Sequence, residues 1–182
     1  MKYDLNEFRL FRDNHSSLQE TSKDSSGDKP AFMTNAAHKV INFDDVKTQY
    51  LNELNMTEEK AASADALFCG KDDKIYFIEF KNGKLKYETH NIQKKLRDSI
   101  MMFCSITGEQ IEFTRKNMRF ILVYDGDKNP FDYVKQIAIG KARLAKTSTP
   151  LLEFNKIEGF CYERLYAFSK EEFNGKIVDK LF

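Results

Sequence analysis

The run Ile75-Tyr76-Phe77-Ile78-Glu79-Phe80-Lys81 constrains the fold more than any other stretch of the chain. Alternate residues of a strand face opposite sides. Ile75 and Phe77 therefore fall on one side, and Tyr76, Ile78 and Phe80 on the other. A strand apolar on both faces has to be covered on both, so it belongs in the middle of a sheet. Glu79 and Lys81 project side by side from the face that carries Ile75 and Phe77, which brings charge to the end of an otherwise apolar surface.

A second short apolar run, Ser63-Ala64-Asp65-Ala66-Leu67-Phe68-Cys69, precedes the first, and the polar Gly70-Lys71-Asp72-Asp73-Lys74 joins them, so the pair reads as a β-hairpin. A three-residue loop, Lys71 to Asp73, sets Leu67 opposite Phe77 and Asp65 opposite Glu79. A loop of two or four residues turns the Asp65 carboxylate to the other face. In the first register two carboxylates lie roughly 5 Å apart at Cβ, an arrangement that is destabilising unless a cation or a proton sits between them. Hard divalent cations take oxygen ligands and commonly use one or two carboxylates. Beside such an ion, Lys81 would either have a lowered pKa and help deprotonate water or stay charged and stabilise the transition state of phosphoryl transfer.

The rest of the chain alternates helical and extended patterns, which points to the α/β class. A helix is expected from Phe43 to Asn55, N-capped by Asn42, with an apolar stripe of Val46, Tyr50, Leu51 and Leu54 that Glu53 borders. The strongest helical pattern runs from His90 to Thr107 and stops at Gly108. Further expectations are a short strand at Ile111–Phe113, a buried strand at 118–125, and a helix at 132–146. A strand at 159–168 and a last helix capped by Ser169 and reaching Leu181 complete the reading. Residues 14–30 hold one large apolar residue among Ser, Asp, Lys and Gly and read as a linker, while Leu5, Phe8, Leu10 and Phe11 would dock the preceding segment. Residues 1–30 thus read as an arm and polar linker, and residues 31–182 as one α/β domain.

Composition fits a single soluble domain: of 182 residues, 41% are hydrophobic and 31% charged. Lys plus Arg number 29 against 28 Asp plus Glu, so the net charge of +1 gives no global attraction to nucleic acid or to anionic membranes. Any nucleic-acid contact must be local. Cys69, Cys104 and Cys161 lie far apart in apolar surroundings, which argues against a disulfide framework or a zinc site and for a reducing, cytoplasmic location. Residues 1–13 lack the apolar stretch of a secretion signal, and no run of eighteen apolar residues marks a membrane span.

Ser63-Ala64-Asp65 followed by Ile78-Glu79-Phe80-Lys81 resembles the PD-(D/E)xK nuclease superfamily, with its restriction-endonuclease-like core. The order of elements from Phe43 to Tyr124 is similar too, although Ala64 stands where the family name has Pro. The resemblance implies a mixed central sheet flanked by helices and covers roughly the middle half of the chain, while the flexible N-terminal segment rests on composition alone. It also implies a metal-dependent nuclease, acting on DNA, that uses Mg²⁺ or Mn²⁺. Asp65, Glu79 and the Phe80 carbonyl would be its ligands and Lys81 its catalytic lysine. Glu53 would be an outer or second-metal residue, and Gln93 would occupy a position where some branches carry Gln. Lys84, Lys86, Lys94, Lys95 and Arg97 would contact phosphates near the metal. A homodimer or a partner subunit would supply target specificity. The alternative is a catalytically inactive module of the same fold that binds protein or nucleic acid.

Other features have plainer readings. Asp125, Asp127 and Asn129 imitate a calcium loop, but Pro130 replaces its Gly. Lys135, Lys141, Arg143 and Lys146 form a solvated helix face. The row Phe160, Tyr162, Tyr166, Phe168 is either core or a base-stacking surface. His15, His38 and His90 share no motif.

Overall fold

The computed structural model of the protein describes residues 3–25, 30–130 and 154–182. The helix expected at 132–146, with Lys135, Lys141, Arg143 and Lys146, lies outside the described residues. Numbered along the chain, the strands are β1 His15–Ser17, β2 Lys23–Asp24, β3 Ala31–Phe32, β4 Lys39–Asn42, β5 Ala66–Cys69, β6 Ile75–Lys81, β7 Met118–Tyr124 and β8 Arg164–Ser169. Six of them form one sheet in the order β1-β4-β5-β6-β7-β8, and β2 and β3 form a separate pair. The first four strands of the large sheet are antiparallel neighbours, whereas β6, β7 and β8 run parallel. The expected α/β architecture with a mixed sheet is therefore present, and β6 is interior.

The β5–β6 hairpin has the three-residue loop. Gly70 N–H donates to the Lys74 carbonyl at 2.8 Å, Leu67 faces Phe77 and Cys69 faces Ile75. Asp73 closes the loop at φ +59°, a conformation that Asp tolerates better than most residues. Gly70 is required by proximity: a Cβ there would lie 2.8 Å from the Tyr76 ring.

The helices are α1 Arg9–Arg12, α2 Leu18–Thr21, α3 Phe43–Glu53, α4 Thr89–Thr107 and α5 Ile111–Asn117, followed by a short helix Phe154–Ile157 and helical turns from Lys170 to Leu181. The Asn42 side chain caps α3 by accepting from the N–H groups of Asp44 and Asp45. Val46 and Leu51 are buried on its inner stripe, while Leu54, just beyond its end, is exposed. α4 follows the expected pattern, burying Ile92, Leu96, Ser99, Ile100 and Phe103, and stops where Gly108 takes φ +76°. Ser169 Oγ accepts from Glu172 N–H at 3.2 Å and opens the C-terminal turns.

The two faces of the sheet build two cores. Phe77, Phe120 and Leu122 pack with Phe43, Leu96 and Phe103, and Tyr76, Ile78 and Phe80 pack with Leu18, Met33 and Phe173. Phe77 is fully buried, with the Phe43 ring centroid 4.7 Å away and Phe103 and Tyr162 edge-on at 6.5 Å. Truncation of Phe77 to Ala is expected to cost about 3–5 kcal/mol, read as a lower urea midpoint. An unchanged midpoint would show that this face is loosely packed.

Two expectations are corrected. Residues 14–24 are no linker: β1 pairs with β4, and Leu18 is fully buried behind an α2 whose first turn is capped by Ser17 Oγ. Backbone pairing and one anchoring leucine outweigh the polar composition. Residues 5–11 dock on the core as expected, with Phe11 stacked 5.9 Å from Phe103. Ile111–Phe113 lies in helix α5, where the buried Thr114 donates its hydroxyl to the Ile111 carbonyl at 3.0 Å and Ile111 and Phe113 are partly buried against the core. Among the described residues no helix is long and apolar enough to cross a membrane.

Candidate active site

One face of β6 changes character along its length. Ile75 and Phe77 belong to the core, Glu79 follows at 0% exposure, and Lys81 reaches the edge with its side chain 15% exposed. Both charged residues thus sit at the C-terminal ends of the parallel strands, the usual place for a ligand in open α/β sheets. Asp65 stands just before β5. Its N–H donates to the Ile78 carbonyl at 3.0 Å, its carbonyl accepts from Phe43 N–H at 3.1 Å, and its Oδ2 accepts from Phe80 N–H at 2.6 Å. These bonds hold the Asp65 carboxylate beside Glu79 and place the start of α3 next to both.

A cation already lies between the two carboxylates. Lys95 Nζ, from α4, is 3.2 Å from Asp65 Oδ1 and 2.8 and 2.9 Å from the Glu79 oxygens. Lys81 Nζ is 3.2 Å from Glu79 Oε1 and 3.2 Å from Glu88 Oε2. Helix α4 also fixes the segment before Asp65. Ser99 Oγ, one turn beyond Lys95, accepts from Ala64 N–H at 2.9 Å, and Asp98 accepts from Ala62 N–H at 2.8 Å. Ser63 hydroxyl donates to Asp44 Oδ1, drawing the first turn of α3 into the cluster.

These groups line a cleft of about 300 Å³. Its described walls carry the carboxylates Asp24, Asp44, Asp65, Glu79 and Glu88 together with the lysines Lys23, Lys81 and Lys95. A larger groove of about 510 Å³ runs beside β4 and β5 past Tyr3, His15 and Phe182, and none of these cluster residues lines it.

Burial, reinforced by the neighbouring Asp65, raises the Glu79 pKa to about 8 despite the attraction of Lys95 and Lys81. The Asp65 pKa is also raised, first by burial and then by Asp44, against the pull of Lys95. Burial works against the charge on Lys95, but Glu79 and Asp65 outweigh it and hold its pKa well above the usual range. Lys81 follows the same balance, with burial and Lys95 opposed by Glu79 and Glu88, and its pKa is raised. Of the two roles open to Lys81 from the sequence, the structure without a metal matches the charged one.

The structure brings together Asp65, Glu79, Lys81 and the Phe80 backbone, and adds Lys95, which the sequence reading placed among phosphate contacts. It does not bring in Glu53, which pairs with Arg9 at the far end of α3. Nine residues at 1.5 Å each put Glu53 roughly 13 Å along the axis from Asp44, the α3 carboxylate that lines the cleft. Gln93 is half-buried on α4, outside the cleft lining. Lys94 is taken up by Asp98 at 2.8 Å, and Arg97 is exposed on α4. Lys84 and Lys86 are exposed on the segment between β6 and α4. Tyr162 is core, Tyr166 and Phe168 pack against the second core, and Phe160 is exposed in a turn. The three cysteines are free thiols.

Among the described residues no group of three or more His, Cys, Asp or Glu side chains forms a metal cage. Two converging carboxylates with room for water are nevertheless the protein share that Mg²⁺ commonly takes. Glu79 Oε1 is fully buried and faces two ammonium groups, Lys95 at 2.8 Å and Lys81 at 3.2 Å, so a cation is already matched to this position. No protein-family model matches the chain, and neither curated proteins nor solved structures yield a match.

Proposed function

We propose that the protein is a metal-dependent nuclease with a restriction-endonuclease-like core that hydrolyses phosphodiester bonds, in DNA. The observation that carries this reading is the convergence of the buried Asp65 and Glu79 carboxylates at the open end of β6, beside Lys81. Asp65 and Glu79, with the Phe80 carbonyl, would hold Mg²⁺ or Mn²⁺. Such an ion would polarise a phosphoryl oxygen and lower the pKa of a water molecule. Lys81, kept charged by Glu79 and Glu88, would stabilise negative charge building on the phosphate. Asp44 and Ser63 position the segment that carries Asp65.

Calorimetry with Mn²⁺ and Mg²⁺, followed by plasmid and single-strand cleavage on the same wild-type samples, tests the proposal. The expected result is saturable binding near one ion per chain and metal-dependent strand scission. Scission that persists unchanged in EDTA would refute the metal-dependent mechanism.

One observation favours a second reading, a nuclease-fold module that binds nucleic acid or protein without hydrolysis. The Lys95 ammonium occupies the space between Asp65 and Glu79 and serves as their counter-ion without any metal. That reading predicts no resolvable Mn²⁺ binding and no scission.

A further inference from the structure

The segment leaving β6 toward α4, residues 82–88, forms one lip of the cleft: Asn82, Gly83 and Glu88 line the cavity. It is held rigidly. Leu85 is fully buried, and its N–H donates to Asn129 Oδ1 at 2.8 Å. Asn129, itself 2% exposed, donates to the Gly83 carbonyl at 2.9 Å. Lys128 Nζ donates to the Asn82 carbonyl at 2.8 Å, and Asn82 donates to Asp24 at 2.8 Å. Glu88 then reaches back to Lys81.

Between these fixed points Tyr87 is turned outward. Its side chain belongs to a residue 75% exposed, the highest value among the large hydrophobic residues described, although the residues on either side of the turn are pinned. An aromatic ring kept in water costs the chain the burial that the same ring would gain in the core. Lys86 Nζ lies 4.6 Å from the ring centroid, and Lys84 is exposed on the same turn. A flat π-face with adjacent ammonium groups, displayed from a rigid loop, is the arrangement by which proteins hold unpaired bases: the ring stacks on the base and the cations meet the phosphates. A base within a duplex offers no free face to such a ring.

We propose that Tyr87 is a stacking platform for an unpaired base next to the phosphate in the cleft, with Lys84 and Lys86 contacting the flanking phosphates, so that the ligand is single-stranded nucleic acid or a duplex with an unpaired nucleotide. This rests on the nuclease-fold reading above and narrows its substrate, but it concerns binding and not hydrolysis.

The chain contains no Trp, so Tyr87→Trp introduces a single tryptophan at the platform. Its emission would be titrated with a fluorescein-labelled 15-nucleotide single strand, the matching blunt duplex, and a single strand carrying abasic positions, in Ca²⁺ buffer, with anisotropy recording binding independently. Quenching by the intact single strand, weak quenching by the duplex and the abasic strand, and a loss of about tenfold or more in affinity for Tyr87→Ala are expected, with Tyr87→Phe near wild type. Anisotropy that rises without quenching, or duplex and single strand bound equally by wild type and Tyr87→Ala, would overturn the platform. Metal-dependent cleavage of duplex together with an unquenched tryptophan would overturn it and leave the nuclease standing. Quenching in Ca²⁺ together with no cleavage by the wild type in Mn²⁺ or Mg²⁺ would support the platform and refute hydrolysis, and no binding of any oligonucleotide would overturn both.

Discussion

Replacement of Glu79 by Gln is expected to abolish calorimetric Mn²⁺ binding and to lower phosphodiester cleavage by about 10²–10³-fold, the scale of loss when one preorganised electrostatic group is removed. The chain should stay folded, because Gln has nearly the same shape and Glu79 already favours its neutral form: its pKa stands at about 8 against an ordinary 4.5. The sign of the pH dependence follows. A carboxyl whose folded pKa is raised contributes its stability below the unfolded value and loses it as pH climbs toward the folded value. In EDTA, the wild type should therefore lose stability relative to Glu79→Gln between about pH 4.5 and pH 8 and level off above. Urea midpoints at pH 5, 7 and 9 for both proteins would show the two curves diverging. Full cleavage by Glu79→Gln would remove the carboxylate from the reaction. Curves that run parallel over that interval would mean that Lys95 and Lys81 hold Glu79 fully ionised.

How much of this site the sequence displays depends on the range of the interaction that fixes each residue. The side-by-side placement of Glu79 and Lys81 follows from strand geometry alone, and the burial of Glu79 follows from a strand apolar on both faces. Asp65 needs only a local turn, and the loop Lys71–Asp73 supplies the register that sets it beside Glu79. Lys95 is different. It borders the buried stripe of α4 one turn before Ser99, but nothing in the helix says that this stripe packs over the end of β6, so a lysine in a polar-looking stretch passes for a solvent-exposed one. Asp44 needs two facts together: that Asn42 ends a strand and that the same residue caps a helix, which puts the first turn of α3 at the cleft. Similarity of motif order pointed instead to Glu53, at the wrong end of that helix. Residues 14–24 show the limit of composition, since β1 is fixed by backbone pairing to β4, and backbone groups carry no signature in residue type.

Lys95→Met gives the second large effect, and it separates the two functional readings. Removing the ammonium leaves Glu79 buried with Lys81 alone, and Asp65 without its side-chain cation. Breaking a buried pair by deleting one partner costs about 3–5 kcal/mol. The loss should be largest in EDTA at pH 9, because at lower pH one carboxyl can take up a proton in place of the missing charge. If Asp65 and Glu79 are metal ligands, Mn²⁺ can enter the space the ammonium leaves. The variant should then bind the ion more tightly than wild type and recover stability as the ion is added, by about 2.7 kcal/mol at a hundredfold excess over its Kd. A Met side chain makes no hydrogen bonds to the carboxylates, so the recovery cannot come from the new residue itself. Thermal melts at pH 9 over a Mn²⁺ series, with Glu79→Gln as the control that should not respond, measure it directly. A Lys95→Met protein that is destabilised and deaf to Mn²⁺ would show that the fold uses lysine where a nuclease uses metal, and the binding-module reading would replace the enzymatic one.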